Sequence, residues 1–285
     1  MRLGFLMPLN VENIARVQRL GYDSLEAGLG WLGGSGMDTA FDQLPALKDA
    51  MAEHDVAITS VAIYGGAIEA PAEDAIDYYA RAVALAEALG CGVVSGLTGR
   101  DNTKTVTENL PLFQERFGPI AEYAADHGVR IALEPWPGSV LGHGPYRWTN
   151  MATTPELWDM LFDAVPNDSL GLEYDPSHLA WQEIDYVQAI LDYGSRIHHM
   201  HAKDIVINRV QLAKVGVHGR GWWRFVLPGL GELSWERIFA ALKQVGYTGD
   251  VAVEHEDGEF LKERWDEGLG IALRALRPFV DAYNA

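Results

Sequence analysis

The chain has 285 residues, 48% of them hydrophobic, a length and composition that allow a well-covered core. Its 22 Lys and Arg residues against 40 Asp and Glu residues give a formal net charge of −18. So acidic a chain repels phosphate backbones and anionic lipids, which argues against nucleic acid and membrane surfaces as partners and favours a neutral small molecule.

The single cysteine excludes an intramolecular disulfide. Cys91 lies in the apolar stretch CGVVSGL, so we expect it to be buried and inert. The N-terminal stretch MRLGFLMPLN lacks the pattern of a signal peptide, and no apolar run approaches the ~20 residues that span a bilayer. The expectation is a cytoplasmic protein.

Short apolar runs alternate with longer amphipathic runs along the chain. RLGFLM (2–7) predicts a strand, and NVENIARVQRLG predicts a helix that stops at Gly21. Three strand–helix pairs follow: DSLEAG with TAFDQLPALKDAMAEHD, VAITSVAIY with AEDAIDYYARAVALAEALG, and CGVVSGL with VTENLPLFQERFGPIAEYAADHG. Four more complete the chain: VRIALEP with TPELWDMLFDAV, SLGLEYD with IDYVQAILDYG, RIHHMHAKD with SWERIFAALKQVGY, and GDVAVEHED with LKERWDEGLGIALRALRPFVDAYN.

Eight strand–helix units without a linker predict an α/β fold, a single (β/α)8 TIM barrel over residues 1–285. The alternative is an open doubly wound sheet, which would need a glycine-rich phosphate loop after an early strand. GLGWLGGSG (28–36) does not open directly into a helix, so we interpret it as a flexible active-site loop. Two long loops, 135–153 and 205–233, follow the fifth and seventh strands on the face where barrel enzymes hold their chemistry.

Four consecutive predicted strands end in a carboxylate or an imidazole. These residues are Glu134, Asp175, His201 and Glu254. The strand period of two places each on the inward face, above Ala132, Glu173, His199 and Ala252. Such a set suits one divalent ion, Mn²⁺ first, with Mg²⁺ or Co²⁺ as alternatives, and without a cation the carboxylates would repel one another. The alternative is that some of the four are ordinary charged residues at strand ends.

The runs IALEP, LEYDPSHL, HMHAKD and VAVEHED resemble the xylose isomerase-like TIM barrel superfamily, in its sugar phosphate isomerase/epimerase branch. The resemblance covers essentially the whole chain. It implies that Glu134, Asp175, His201 and Glu254 bind the metal ion. It also implies that Glu134 and Glu254 exchange a proton with the sugar carbon from opposite faces, through an enediolate.

Two further residues are predicted to bind substrate. The resemblance implies that His178 contacts a substrate oxygen. Lys203 is the second, and the alternative is a lysine paired with Glu173 or Glu254. By analogy with the family, a homo-oligomer or a partner subunit is also expected.

The sequence departs from the ketose 3-epimerases of this superfamily at two positions. Val140 and Ile207 stand where those enzymes carry a glutamate and an arginine, although Arg209 lies near the second position. Glu173 is a further unusual residue, because an inward carboxylate there needs a proton, a lysine or a histidine such as His199.

The two long loops carry further candidates. The seventh loop offers side chains that can stack on a sugar or an aromatic ring, namely Trp222, Trp223 and Arg224. The alternative is that these side chains anchor the loop to the barrel rim. His143, between glycines, is a candidate general acid or base, and the alternative is an ordinary exposed histidine. The segment LPGLGELSW resembles a subgroup that includes lyases acting on 3-keto sugars and their glycosides.

The predicted function is a divalent-metal-dependent sugar isomerase or epimerase acting on a keto- or aldo-sugar or a related polyol derivative. The alternative is a metal-dependent lyase that eliminates a group from a 3-keto sugar or glycoside. A DNA repair nuclease of the same superfamily would need histidines where this chain has Tyr64 and the run GLTGR. A non-catalytic binding protein would predict a broken ligand set, whereas this one is whole.

Overall fold

The computed structural model describes residues 1–138 and 149–285, and it contains ten strands in those ranges. They are β1 (Leu3–Pro8), β2 (Ser24–Trp31), β3 (Ala57–Gly66), β4 (Val93–Leu97), β5 (Arg130–Leu133), β6 (Leu170–Tyr174), β7 (Ile197–Ala202), β8 (Asp204–Ile207), β9 (Trp223–Val226) and β10 (Val251–Val253). Eight of them form a closed parallel barrel in the order β1-β10-β7-β6-β5-β4-β3-β2. The predicted (β/α)8 barrel is therefore confirmed.

Helices follow the barrel strands and cover the outside of the sheet. They are α1 (Val11–Leu20), α2 (Gly36–Asp42), α3 (Leu44–His54), α4 (Ala72–Leu89), α5 (Val106–Asp126), α6 (Pro155–Ala164), α7 (Pro176–Ala180), α8 (Tyr186–Tyr193), α9 (Arg209–Val215), α10 (Trp235–Gln244) and α11 (Trp265–Asn284). Helix α1 shows how local sequence sets their ends. The Asn10 side chain accepts from the Asn13 amide at its start, and Gly21 stops it with φ of 82°.

The segment after β7 differs from the predicted loop over 205–233. Strands β8 and β9 pair as an antiparallel hairpin, and α9 lies between them. Ile205, Phe225 and Val226 supply the apolar and β-branched side chains that favour such a pair. The hairpin extends the barrel at its mouth, the end where the carboxyl ends of the strands meet.

Two other segments also differ from the sequence prediction. The second predicted helix is divided at Gln43 into α2 and α3. Pro45 has no amide hydrogen for a helical hydrogen bond to the preceding turn, so it is tolerated only at the start of α3. The segment 28–36, predicted as a loop, belongs to β2 as far as Trp31, and α2 then begins at Gly36. The glycine run does open into a helix, after a short turn.

Within the described ranges, no helix is both long enough and apolar enough to cross a membrane.

Candidate active site

The four predicted metal ligands lie together at the mouth of the barrel. Glu134 and Glu254 are the first residues beyond β5 and β10, Asp175 follows β6 directly, and His201 lies near the end of β7. Glu134, Asp175 and His201 are buried, and the Glu254 side chain is only 13% exposed. Parallel strands bring their carboxyl ends to one face, so residues far apart in sequence share one site.

The run YDPSH is built from local backbone rules. Asp175 is the N-cap of α7, where its Oδ1 accepts from the Ser177 amide at 2.8 Å, and Pro176 fills the first helical position. The predicted tight turn is thus the first turn of a short helix. This turn fixes the Asp175 carboxylate and carries His178 to the same site, where its Nε2 lies 3.5 Å from Asp175 Oδ2.

Short distances connect the four predicted ligands. His201 Nδ1 lies 3.1 Å from Glu254 Oε2 and 3.6 Å from Glu134 Oε1. One possible ligand atom from each of Glu134, Asp175, His178 and Glu254 lies within 4.8 Å of the others. The group at the mouth therefore contains three of the four predicted ligands, with His178 as its fourth member. His201 lies against Glu254 and Glu134 and also belongs to a second possible ligand group, with Glu26, Glu173 and His199.

Two atoms of this cluster are buried without a hydrogen-bond partner among the described residues, namely Asp175 Oδ2 and His201 Nδ1. Both have charged neighbours within 3.2 Å, but not with hydrogen-bond geometry. A buried polar atom left unpaired is costly. His201 Nδ1 lies beside the Glu134 and Glu254 carboxylates, and Asp175 Oδ2 lies beside Lys203 and His178. Carboxylate oxygens with one imidazole nitrogen form a donor set that a divalent ion accepts, so these residues fit a metal ion.

Lys203 lies inside the cluster and is almost fully buried. Its Nζ is 2.5 Å from Glu254 Oε2, 3.0 Å from Glu256 Oε2 and 3.2 Å from Asp175 Oδ2. It also lies 3.2 Å from His178 Nε2. The lysine thus pairs with Glu254, and not with Glu173, among the described contacts.

Positively charged neighbours favour the ionised form of Glu134 and Glu254 in spite of their burial. Burial alone would raise the pKa of Glu134, but the neighbouring His178 and His201 side chains lower it to about 2. Burial likewise opposes ionisation of Glu254, and the Lys203 ammonium outweighs it, so the pKa of Glu254 falls. Charged carboxylates are the form that binds a metal ion and accepts a proton.

A second polar layer lies beneath the cluster inside the barrel, and one of its members, Glu26, was missed by the sequence analysis. Glu26 of β2 is fully buried, and its Oε2 is 2.8 Å from His201 Nε2. Its Oε1 accepts from Ser95 at 3.1 Å. Glu26 therefore holds the far nitrogen of the His201 ring and turns Nδ1 towards the mouth. The strand period of two marks Glu26 as inward in SLEAG, but nothing in the sequence pairs it with His201.

Glu173 and His199 complete this inner layer. His199 Nδ1 lies 3.1 Å from Glu173 Oε1, and His199 Nε2 lies 3.2 Å from Thr59 Oγ1. Burial and the charge of Glu26 raise the pKa of Glu173 well above its usual value. The unusual Glu173 is thus held next to a histidine, in a place that favours its protonated form.

Among the described residues, two cavities open at the mouth. The first, which we call the carboxylate cavity, has a volume of about 280 Å³ and contains Glu134, Glu254 and Glu256, with Trp31, Tyr64, Leu97 and Trp136 in its wall. Trp31 and Trp136 are 67% and 37% exposed, so their rings are available to a ligand. Neither tryptophan was singled out from the sequence, although Trp31 falls in the segment interpreted as an active-site loop.

The second, which we call the apolar cavity, has a volume of about 510 Å³ and lies on the β1 and β2 side of the mouth. Its wall includes Leu6, Met7, Leu9, Leu29 and Trp265. It shares Tyr64, Glu254 and Glu256 with the carboxylate cavity, so the two are neighbours.

The predicted substrate-binding residues of the seventh loop lie in and beside the hairpin. Trp222 is 1% exposed, and Trp223 stacks on Trp181 with ring centroids 5.3 Å apart. Arg224 pairs with Glu259 at 3.0 Å. Among the described residues, none of the three lines either cavity. These contacts match the alternative in which they anchor the segment at the rim.

Phe225, on the same hairpin, is a residue that the sequence analysis missed. Its ring meets His178 edge-on at 5.2 Å, and Lys203 Nζ lies 4.5 Å from the ring centroid. It therefore covers both side chains. Neighbouring residues of a strand point to opposite faces, so the sequence indicates that Phe225 and Arg224 lie on opposite faces of β9. It does not indicate that the Phe225 face covers His178 and Lys203.

Two predicted positions, His143 and Val140, lie outside the described residues. Ile207, the second position at which this chain departs from the epimerases, lies among the described residues. Ile207 ends β8, and Arg209 pairs with Glu232 at 2.6 Å at the start of α9.

Sequence comparison gives a match over most of the chain. A family profile described as a xylose isomerase-like TIM barrel matches residues 14–278.

Three curated relatives are similar to this chain. The protein YfiH of Bacillus subtilis is 34% identical over 45% of this chain and 43% of its own length. An inosose dehydratase of Geobacillus thermodenitrificans is 27% identical over 57% of this chain and 52% of its own length. A ketose 3-epimerase of Arthrobacter globiformis is 23% identical over 91% of this chain and 82% of its own length. The chain thus spans about half the length of the first two.

Two solved structures share the fold. The IolI protein with a bound zinc atom superposes with a TM-score of 0.74 at 18% identity, covering 99% of both chains. The 3-keto-D-glucoside 4-epimerase YcjR from E. coli superposes with a TM-score of 0.71 at 16% identity, also covering 99% of both. At these identities the likeness shows the fold alone.

Proposed function

Because the chain belongs to the xylose isomerase-like TIM barrel family, we propose that it is a divalent-metal-dependent sugar isomerase or epimerase. The proposed substrate is a keto- or aldo-sugar or a related polyol derivative, and the proposed reaction moves a proton at a carbon next to a carbonyl. The relatives named as an inosose dehydratase and a ketose 3-epimerase support this class of substrate. The zinc atom in the IolI structure supports a divalent ion, and we expect Mn²⁺ here, with Mg²⁺ or Co²⁺ as alternatives.

One observation carries the proposal. Three strands of the barrel bring the carboxylates of Glu134, Asp175 and Glu254 together at the mouth, and the His201 imidazole lies beside two of them. Two of these side chains, Asp175 and His201, have an atom without a hydrogen-bond partner among the described residues. Glu134, Asp175, His201 and Glu254 would hold the ion. Bound there, it would polarise the sugar carbonyl and make the adjacent C–H more acidic.

The residues of this chain would then handle the proton. Glu134 and Glu254 are ionised carboxylates, so either can accept a proton from carbon, and the other can return one to the opposite face. Lys203 and His178, which contact each other at 3.2 Å, would bind substrate oxygens at the same site. Trp31 and Trp136 supply flat walls for a sugar ring.

A second candidate is the lyase that eliminates a group β to the carbonyl of a 3-keto sugar or glycoside. The apolar cavity favours a glycoside over a free sugar as the substrate, because a free sugar offers little to a wall of Leu, Met and Trp. Both reactions begin with the same proton abstraction. They differ in whether a leaving group is present and whether an acid can protonate it, and the candidate acids are His143 and His178.

Proton NMR in D₂O tests the proposal. We would load the protein with Mn²⁺, remove excess metal, and offer free ketoses beside 3-keto sugars and 3-keto glycosides. Deuterium entering the substrate with a new stereoisomer or aldose is the expected result. Loss of a group with an enone product would establish the lyase instead, and no exchange on any substrate would refute both.

The variant Glu254→Gln keeps the shape of the side chain but cannot act as a base. We expect it to abolish deuterium exchange. Glu236→Gln, the same change at an exposed position on α10, should exchange at the wild-type rate. A Glu254→Gln protein that retains near wild-type exchange would remove this residue from the mechanism.

A further inference from the structure

The apolar cavity beside the carboxylates has no role in moving a proton on a free sugar. Its volume of about 510 Å³ exceeds the 280 Å³ of the carboxylate cavity. It also falls within the roughly 300–1,000 Å³ of pockets that hold organic ligands. It adjoins the reaction site, because Tyr64, Glu254 and Glu256 line both spaces. A group that occupies it can be part of the molecule that reacts at Glu254.

The lining sets the chemistry of that group. Leu6, Met7, Leu9 and Leu29 form apolar walls. On one side Trp265 stacks on His255, with ring centroids 4.1 Å apart and planes 13° from parallel, which makes a flat aromatic wall. A flat or aliphatic group buries its surface against such walls, whereas sugar hydroxyls would lose hydrogen bonds to water there.

Charge excludes an anionic occupant. The described lining contains no lysine or arginine, and its acidic side chains are Glu254 and Glu256. The nearby Lys203 ammonium is already shared by Glu254, Glu256 and Asp175, so a carboxylate or phosphate here would meet an excess of negative charge. The occupant is therefore a neutral apolar group.

From this geometry we infer that the apolar cavity is a subsite for an apolar, ring-sized substituent of the sugar substrate. The substrate class is then a keto-glycoside with an apolar aglycone, not a free sugar. The inference rests on the proposed function for the reacting end of the molecule, and it holds for epimerisation and for elimination alike. It adds Thr39, which lies on α2 at the exposed rim of the cavity, as a residue that limits the size of the substituent.

Equilibrium binding tests the subsite without turnover. We would titrate phenyl β-D-glucoside and methyl β-D-glucoside, which have no keto group, into the Mn²⁺-loaded protein by calorimetry. The phenyl compound should bind at least about tenfold more tightly, since burying a group of phenylalanine size contributes a gain of that order or more. Equal affinities would overturn the inference.

A filling variant and its matched control locate the effect. Thr39→Phe should reduce the preference for phenyl over methyl to about twofold or less, because the new ring takes the space of the substituent. Thr107→Phe makes the same change at an exposed site on α5 outside the cavity, and it should keep the full preference. A preference that survives Thr39→Phe unchanged would place the phenyl group elsewhere and contradict the subsite.

Turnover separates this inference from the proposed function. The substrates are methyl and phenyl 3-keto-glucosides in D₂O. Deuterium exchange on both compounds, with no higher kcat/KM for the phenyl compound, would contradict the subsite and support the proposed function. No exchange on either, with tight phenyl binding lost in Thr39→Phe, would sink the proposed function and leave the subsite. Exchange with a tenfold or greater phenyl preference supports both.

Discussion

Each predicted carboxylate ligand at the mouth has a positively charged or imidazole side chain close by. Glu134 has His178 at 3.4 Å, and Asp175 and Glu254 have Lys203 at 3.2 and 2.5 Å. For Glu134 and Glu254 these neighbours lower the pKa against the effect of burial, which favours the ionised form that binds a metal ion. The site is thus kept in a form that can bind a cation, and single residues can be tested for their share in this.

The contact between Glu26 and His201 predicts an effect on metal affinity. Glu26→Gln removes the charge that orients the ring, so we expect affinity for Mn²⁺ to fall about 10- to 100-fold. His201→Ala should abolish tight binding, because a ligand is lost. Metal content after dialysis and titration calorimetry would measure both.

The exposed Glu12 on α1 provides the control for this pair, since Glu12→Gln should leave metal affinity unchanged. Circular dichroism would show that the variants are folded. Unchanged metal content in His201→Ala would break the assignment of the site, and unchanged affinity in Glu26→Gln would limit Glu26 to a role in packing.

Cys91 gives a prediction that depends on pH. The side chain is buried, as expected from the sequence, and burial raises the pKa of its thiol to about 12. At pH 8 only about one molecule in 10⁴ then carries a thiolate, so a disulfide reagent should not label the folded protein within an hour. The same protein in denaturant should take up one equivalent; rapid labelling without denaturant would show that the thiol is accessible.

The higher pKa of Cys91 in the folded protein also makes the free energy of unfolding depend on pH. The unfolded thiol ionises near the ordinary value of 9.0, and the folded thiol only near 12. The contribution of Cys91 is therefore fully present below pH 9 and is lost as the pH rises towards 12.

At the scale of elements, the hairpin β8–β9 depends on one buried carboxylate. Asp204 is fully buried and accepts four hydrogen bonds, from the amides of Ile205, Gly229 and Leu233 and from the indole of Trp235. These bonds tie the run LPGLGELSW to the start of β8. The hairpin in turn places Phe225 over His178 and Lys203, so its anchoring bears on the site.

Asp204→Ala should lower the free energy of unfolding by about 3 kcal/mol or more, because it leaves four donors without their acceptor. Urea unfolding followed by fluorescence would measure the change. Asp163→Ala, at an exposed position of α6, should stay within about 0.5 kcal/mol of wild type. A loss in Asp204→Ala no greater than in this control would contradict the anchoring role.

At the scale of the whole molecule, the site joins strands from both halves of the barrel. His201 comes from β7, and its ring reaches Glu26 of β2 on one side and Glu134 beyond β5 on the other. An ion that binds there is bound by the folded barrel and not by the unfolded chain. Its removal should therefore lower global stability.

Dialysis against a chelator should lower Tm, and Mn²⁺ at about 100 times its Kd should restore about 2.7 kcal/mol, or roughly 5 °C for a chain of this size. Scanning calorimetry with and without the ion measures the shift. His201→Ala should show no metal-dependent shift. Equal Tm values for the dialysed and reloaded wild-type protein would argue against an ion at this site.

Several expectations for the whole protein stay predictions. These are the cytoplasmic location, the homo-oligomer or partner subunit, the organisation of 1–285 as one domain, and the exclusion of nucleic acid and membrane partners. Light scattering would test the oligomeric state directly.

The sequence by itself determined the barrel and the position of its four candidate ligands. Alternating strands and helices require a parallel sheet, and parallel strands bring residues such as Asp175 and Glu254 to one end whatever the loops between them do. Local rules also set details such as the cap at Asn10 and the helix stop at Gly21.

Tertiary structure alone decided which side chains meet across the barrel. Glu26 and His201 are 175 positions apart and touch only because the sheet closes, so no local pattern pairs them. The same holds for Lys203, whose partners follow other strands, and for Trp222, which the hairpin buries. The two cavities likewise arise from gaps between packed elements, and their volume and lining depend on distances that strand and helix periodicity do not encode.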